Sequence, residues 1–242
     1  PSLPRTLQRA LPRRCRRAAS IWKFSSPLIA LIAMHYEIAT FTLPFGTAAR
    51  ASEAVAAASR APEAQGELLA LWTSDIGTLN QLIVLRGFAD AASLFHERER
   101  VLASADPLGC GASLAVDMRL EAFEGFGALP PARPSAQSGV KGPVYEIRSY
   151  GIKPGCVQPL RDLWRDHLAP RHAVSPCVAV MLALDGRPRF TNIWAYADLN
   201  ARAKARADAV AQGIWPPKGG PALLTTDMAS TIALPTAQSP MQ

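Results

Sequence analysis

The sequence predicts an α+β fold: two ferredoxin-like βαββαβ domains in tandem, closing on each other as a pseudo-dimeric α/β barrel. Three observations carry this. Tyr36-Glu37-Ile38-Ala39-Thr40-Phe41-Thr42-Leu43-Pro44-Phe45-Gly46 returns as Tyr145-Glu146-Ile147-Arg148-Ser149-Tyr150-Gly151-Ile152-Lys153-Pro154-Gly155, at a constant offset of 109 with no gap. Solenoid repeats run about 20–50 residues, so a period this long is a duplicated domain. The order strand, helix, strand, strand, helix, strand can be followed twice. A Pro-, Gly- and Ser-rich stretch separates the copies. A ferredoxin-like sheet has helices on one face only, and a second copy is the natural cover for the other.

Residues 35–42 read as a strand that closes on Gly46. Residues 47–61 are Ala-rich and helical in propensity, bounded by Pro62. Apolar runs at 68–73 and 79–85, with Ser74-Asp75-Ile76-Gly77 between them, read as a hairpin. Asp90 is placed to cap a helix whose apolar positions Leu94, Phe95, Val101 and Leu102 fall near one face. Residues 113–121 supply a fourth strand. Residues 126–142 hold Pro130, Pro131, Pro134, Ser135 and Ser138 with several glycines, which is linker chemistry. In the second copy, 144–150 is a strand. A helix over 156–168 places Val157, Leu160, Leu163, Trp164 and Leu168 at helical spacing and is stopped by Pro170. Strands at 178–184 and 190–196 are joined through Asp185-Gly186, a strong turn signal. Asp198 caps a helix with Leu199, Ala203, Ala207 and Val210 inward. A loop at 214–221 and a strand at 226–234 complete the unit. The expected organisation is a disordered Arg-rich segment at 1–33, a first domain at 34–125, a linker at 126–142 and a second domain at 143–242.

Composition is globular, with 49% hydrophobic and 19% charged residues among 242. The net charge of +7 suggests nucleic acid until it is mapped. Arg5, Arg9, Arg13, Arg14, Arg16, Arg17 and Lys23 lie in 1–33 without an acid, which leaves 19 basic and 19 acidic residues in 34–242. A phosphate-binding surface needs a localised positive patch, so no nucleic-acid partner is expected. The apolar end of the first segment, 27–33, is shorter than the roughly 20 residues a bilayer requires, and no membrane span is expected. Residues 1–33 read as a mitochondrial-type presequence, a short secretory signal, or residues upstream of a start at Met34. The last is preferred, because Met34 stands where the first strand begins. The expected location is then cytoplasmic, or mitochondrial if 1–33 is a presequence. Cys15, Cys110, Cys156 and Cys177 form no C-x-x-C pair and read as scattered thiols. With His35, His96, His167 and His172 dispersed, no metal and no cofactor are expected.

Strand alternation groups Glu146, Arg148 and Tyr150 on one face, and Tyr145, Ile147 and Ser149 on the other. The more apolar side is expected against the helices, which points Glu146, Arg148 and Tyr150 into the barrel between the domains. Asn192, Trp194 and Tyr196 share a face of the partner strand. The result is a polar–aromatic ligand pocket, or else Glu146 and Arg148 form a structural ion pair. The first copy offers Glu37, Ala39 and Phe41 instead, so the two sites are not equivalent. Trp215-Pro216-Pro217-Lys218-Gly219-Gly220-Pro221 reads as a lid or docking loop with Trp215 and Lys218 at the ligand, or as a plug over the barrel end.

Tyr145-Glu146-Ile147-Arg148-Ser149-Tyr150 with Lys153-Pro154-Gly155, Ile193-Trp194-Ala195-Tyr196-Ala197-Asp198-Leu199 and the 215–221 loop resemble the NIPSNAP family. Tyr36-Glu37-Ile38, Leu79-Asn80-Gln81-Leu82 and Gly87-Phe88-Ala89-Asp90 resemble it in the first half. The resemblance implies a dimeric α/β barrel of ferredoxin-like domains, whose activity is poorly defined and whose animal members are mitochondrial and act in part through protein partners. The family's third strand often reads His-x-Trp, where this chain has Val84-x-Arg86 and Asn192-x-Trp194. Haem-binding relatives of the architecture use a helical His, which makes His167 a remote candidate. The expected function is a non-catalytic module binding a small molecule or a protein partner, with homo-oligomers possible. The alternative is a monooxygenase- or isomerase-like enzyme, or a haem-handling protein, with its site between the domains.

Overall fold

The structure, a computed structural model, describes residues 34–126, 129, 132–139 and 142–242. The expectation for residues 1–33 lies outside the described residues. The first half contains β1 (His35–Thr42), α1 (Ala48–Ala58), β2 (Glu67–Ile76), β3 (Gln81–Phe88), α2 (Ala91–Leu102) and β4 (Asp117–Gly125). A four-residue helix, α3 (Ser135–Ser138), lies between the halves. The second half contains β5 (Val144–Ile152), α4 (Val157–Val174), β6 (Cys177–Ala183), β7 (Arg189–Tyr196), α5 (Leu199–Ala211) and β8 (Leu224–Pro235). Asp90 and Asp198 cap α2 and α5 as their positions predict, each accepting 2.7 Å from a backbone N–H three residues on, Ser93 and Ala201.

Eight antiparallel strands close into a barrel in the order β1-β3-β2-β8-β5-β7-β6-β4. Each half keeps its first strand between its third and fourth. Tyr36 thus lies opposite Gly87 and Phe123, and Tyr145 opposite Ala195 and Ala233. The halves join at two equivalent seams, β2 with β8 and β4 with β6. Closure leaves none of the eight strands with an open edge. At the second seam Gly125, opposite Met181, is required by space: a Cβ there would come within 2.8 Å of the Met34 carbonyl oxygen.

The lumen holds one apolar core drawn from both halves, including Tyr36, Ile38, Trp72, Tyr145, Met181 and Ile193. Trp72 and Tyr145 pack across the division with ring centroids 4.9 Å apart. Fully burying side chains of this size contributes roughly 1.5–3 kcal/mol each. One end of the lumen is closed by Ala132 and by the chain after β8, which buries Met241 in this core. Ser239 fixes that tail by accepting a 3.0 Å hydrogen bond from the Leu71 N–H.

Outside the barrel, α1 packs Ala51 and Val55 on Phe41 and Val84, and α4 packs Leu160 and Trp164 on Phe190 and Trp194. The faces are therefore the reverse of the sequence expectation. Tyr145 and Ile147 belong to the lumen, while Tyr150 and Trp194 pack with the helices. Alternation carries Glu146 and Arg148 to the helix side as well. The lumen is sealed from water at its filled end and takes the apolar set, whereas the helices can bring counter-charges to the other face.

Three further differences have local causes. The fourth strand begins at Asp117 rather than 113, because 111–115 form a turn with Leu114 buried. Helix α4 continues through Pro170 to Val174. A proline forgoes one helical hydrogen bond, to the carbonyl of Asp166, which lies on the exposed side where water can meet it. Helix α5 is rotated from the expected phase: Leu199 and Val210 are exposed, Ala209 is buried, and Arg202 and Arg206 reach toward Glu146.

Trp72→Ala is expected to cost about 3–5 kcal/mol and to leave a single unfolding transition, since both halves share the core it empties. Urea unfolding followed by circular dichroism and by the fluorescence of Trp164, Trp194 and Trp215 checks this. Two separated transitions would show that each half holds itself together.

Candidate functional site

Glu146 on β5 is fully buried. Its Oε1 accepts from Arg148 Nη1 at 2.5 Å, Arg202 Nη2 at 2.6 Å and Ser230 Oγ at 2.9 Å. Arg206 stands 3.8 Å from Oε2, and the Tyr196 hydroxyl donates to the same oxygen at 3.4 Å. Burial alone would raise the pKa of this carboxyl. The hydrogen bonds from Arg202 and Arg148, with their charges, outweigh it and hold the group at about 2. Arg148 also donates to the Tyr150 hydroxyl.

Glu37 holds the matching place on β1. It accepts from Arg86 at 2.5 Å and Arg98 at 2.9 Å; Arg86 also pairs with Glu97, Glu97 with Arg100, and Arg98 with Asp185. There Arg86, Arg98 and Arg100 each hold a carboxylate, and Asp185, from the turn after β6, joins Arg98 to Arg189. The second half sets one carboxylate, Glu146, against Arg148, Arg202 and Arg206, and adds Arg171.

Beneath α4, α5 and the 215–221 loop lies a cavity of about 270 Å³. Tyr150 and Phe190 line it from the sheet, Trp164 and Arg171 from α4, Arg206 and Ala209 from α5, and Trp215 with Pro216, Pro217 and Pro221 from the loop. Trp164 packs edge-on to both Phe190 and Trp215, each at 4.6 Å between centroids. No carboxylate lines the cavity among the described residues.

A larger cavity, about 600 Å³, occupies the open end of the lumen among Thr40, Ser149, Thr191 and Thr231. The arginines at its rim are all matched: Arg189 to Glu121 and Asp185, Arg119 to Glu121, Arg187 to Asp227.

The NIPSNAP family signature matches residues 36–109 and 145–240, more than half of the chain and both copies of the repeat. The chain belongs to the NIPSNAP family. No curated protein matches this sequence. Among solved structures, the chain is similar to an anthrone oxidase-like protein, with 12% identity and TM-score 0.59 over 87% of this chain and 94% of that one. It is also similar to a candidate monooxygenase of Lactobacillus acidophilus, with 12% identity and TM-score 0.58 over 84% and 93%. A NIPSNAP domain protein of Burkholderia xenovorans shares 23% identity over 39% of this chain and 95% of that one, with TM-score 0.35. At these identities the first two likenesses show a shared barrel fold.

In this NIPSNAP chain Arg148, Tyr150 and Trp215 line the smaller cavity, and Glu146 lies behind Arg148. Asn192 and Trp194 are buried and bonded to each other, Trp194 Nε1 donating to Asn192 Oδ1 at 2.6 Å. Lys218 is exposed and stands outside the lining. His167 bonds through Nδ1 to the Leu163 carbonyl at 2.8 Å, within its own helix. Cys110 is a buried thiol whose pKa burial and the nearby Asp106 push up to about 11. Among the described residues no His, Cys, Asp and Glu gather as a metal site, and no helix is long and apolar enough to cross a membrane. Arg171 and Arg206 escaped the sequence reading. The signal for Arg206 is its spacing of four from Arg202, which puts both on one face of α5; Arg171 lies beyond Pro170, where the helix was expected to have ended.

The depressed Glu146 carboxyl sets the sign of an acid effect. A folded pKa below the unfolded one contributes stability that is present above about pH 4.5 and lost as pH falls toward 2. Glu146→Gln should lower stability at neutral pH and flatten the fall between those limits, measured by urea unfolding at stepped pH. An unchanged acid limb would show that Glu146 does not carry it.

Proposed function

We propose that this NIPSNAP protein is a non-catalytic binding module that takes a small, largely apolar molecule into the cavity of its second half. The observation that carries the reading is an aromatic-walled chamber of about 270 Å³ between sheet, helices and a Trp-bearing loop, with polar groups at a few fixed points. Its volume is near the lower end of ligand pockets, about 300 Å³. Its lining brings Arg, Tyr and Trp side chains rather than a nucleophile with a base and an orienting partner. The first half, where each arginine of the matching network holds a carboxylate, is the structural copy in this reading.

A second reading is favoured by the larger cavity. Its place in the lumen, between the halves, suits a small enzyme of the same barrel class. The two readings differ in where a bound molecule is sensed. A ligand of the smaller cavity touches Trp164 and Trp215, whereas the lumen cavity has no Trp in its lining.

A metabolite screen by thermal shift, followed by tryptophan fluorescence, tests this. A ligand at 100 times its dissociation constant should stabilise the chain by about 2.7 kcal/mol and change the fluorescence. Trp215→Ala should weaken binding by about tenfold or more while the barrel stays folded. Binding that leaves both the fluorescence and the Trp215→Ala affinity unchanged would move the site to the lumen.

A further inference from the structure

We infer that the ligand of the second-half cavity is an organic carboxylate with an apolar or aromatic body, its carboxylate seated on Arg171. This rests on the cavity being a binding site, and it names the chemical class that site accepts.

Arg171 is 2% exposed and lines the cavity. Its guanidinium lies over the Trp194 ring, 4.4 Å from the centroid, and Nη2 reaches the Tyr196 hydroxyl at 3.4 Å. Its Nη1 is buried without a hydrogen-bond partner. Arg86, Arg98, Arg161 and Arg202 also carry one unpaired buried nitrogen, but each holds a carboxylate through another. Arg171 has no carboxylate within ion-pair distance among the described residues. A buried cation without a counter-ion is costly, and the cost is relieved when an anion enters with it. Arg206 adds positive charge to the same wall, with only a distant share, 3.8 Å, in Glu146. In the first half each arginine of the matching network holds a carboxylate. Arg148, the third arginine of the lining, is held by Glu146. The remaining wall is mostly apolar and aromatic, with Trp164, Phe190 and Trp215 suited to a flat or aliphatic body. Among the described residues Arg171 is the one arginine of the lining that holds no carboxylate, and a single such guanidinium fits a singly charged carboxylate better than a doubly charged phosphate, which needs more donors.

The test compares matched pairs on the unaltered full chain, by calorimetry or fluorescence: phenylacetate with phenylacetamide, indole-3-acetate with indole-3-acetamide, and octanoate with octanamide. The expected result is that at least one acid binds and its amide binds about tenfold or more weakly, the scale of a charge-assisted hydrogen bond. Arg171→Gln should bring the acid down to the level of the amide and leave the amide unchanged. Because the acid-to-amide contrast is read on the unaltered protein, it stands even if Arg171→Gln fails to fold. Equal binding of acid and amide would overturn the carboxylate assignment and leave the pocket standing. Failure of every acid and amide to bind, with a neutral or cationic metabolite binding in their place, would overturn it in the same way. Failure of all molecules tested at this cavity would remove the binding reading and this inference with it.

Discussion

One apolar lumen shared by two halves of a single chain is the constraint from which the rest follows. Trp72 from β2 and Tyr145 from β5 meet inside it, so neither half completes its core alone. A strand shows alternate residues to opposite faces. With Tyr36 and Tyr145 committed to the lumen, Glu37 and Glu146 must lie under the helices, where both are fully buried. Burying a carboxylate there is tolerable only with cations and hydrogen bonds to meet it. Arginines from the second helix of each half provide them: Arg98 on α2, and Arg202 and Arg206 on α5.

The halves share this frame and differ in how they complete it. In the first, Arg86, Arg98 and Arg100 each hold Glu37 or Glu97, and Asp185 from the second half adds a further contact to Arg98. In the second, Trp194 replaces the arginine opposite the glutamate, and Arg148 and Ser230 enter from within the sheet. Helix α4 is 18 residues long against 11 for α1. Its additional turns bring in Arg171, and the 215–221 loop covers the resulting space with Trp215. A duplicated scaffold has thus kept one copy closed and opened a chamber with unmatched positive charge in the other.

Much of this was legible in the sequence. The repeat, the linker composition and the strand-to-turn signals give the tandem barrel, and Asp90 and Asp198 announce their helices correctly. Strand alternation grouped Glu146, Arg148 and Tyr150, which do lie together. It could not say which face the lumen would take, because that depends on how the two halves close rather than on either strand. Counting apolar residues favoured the wrong side, since the helix side offsets its charges with arginines distant in sequence. The same tertiary charge turned α5 away from the phase its Leu199 and Val210 suggest. Pro170 signals a stop in the sequence and so hides Arg171, because proline's helix penalty depends on what else can satisfy one carbonyl.

The orientation of Glu146 toward α5 is the central claim, and a double-mutant cycle between Glu146 and Arg202 tests it most directly. Glu146→Gln, Arg202→Gln and the double variant would be unfolded in urea beside the unaltered chain. Residues in one buried ion network couple by about 0.5–3 kcal/mol, and the 2.6 Å contact between these two predicts a coupling energy in the upper part of that range. A coupling energy of zero would mean that Glu146 does not meet α5, and would contradict the arrangement of both the core and the cavity.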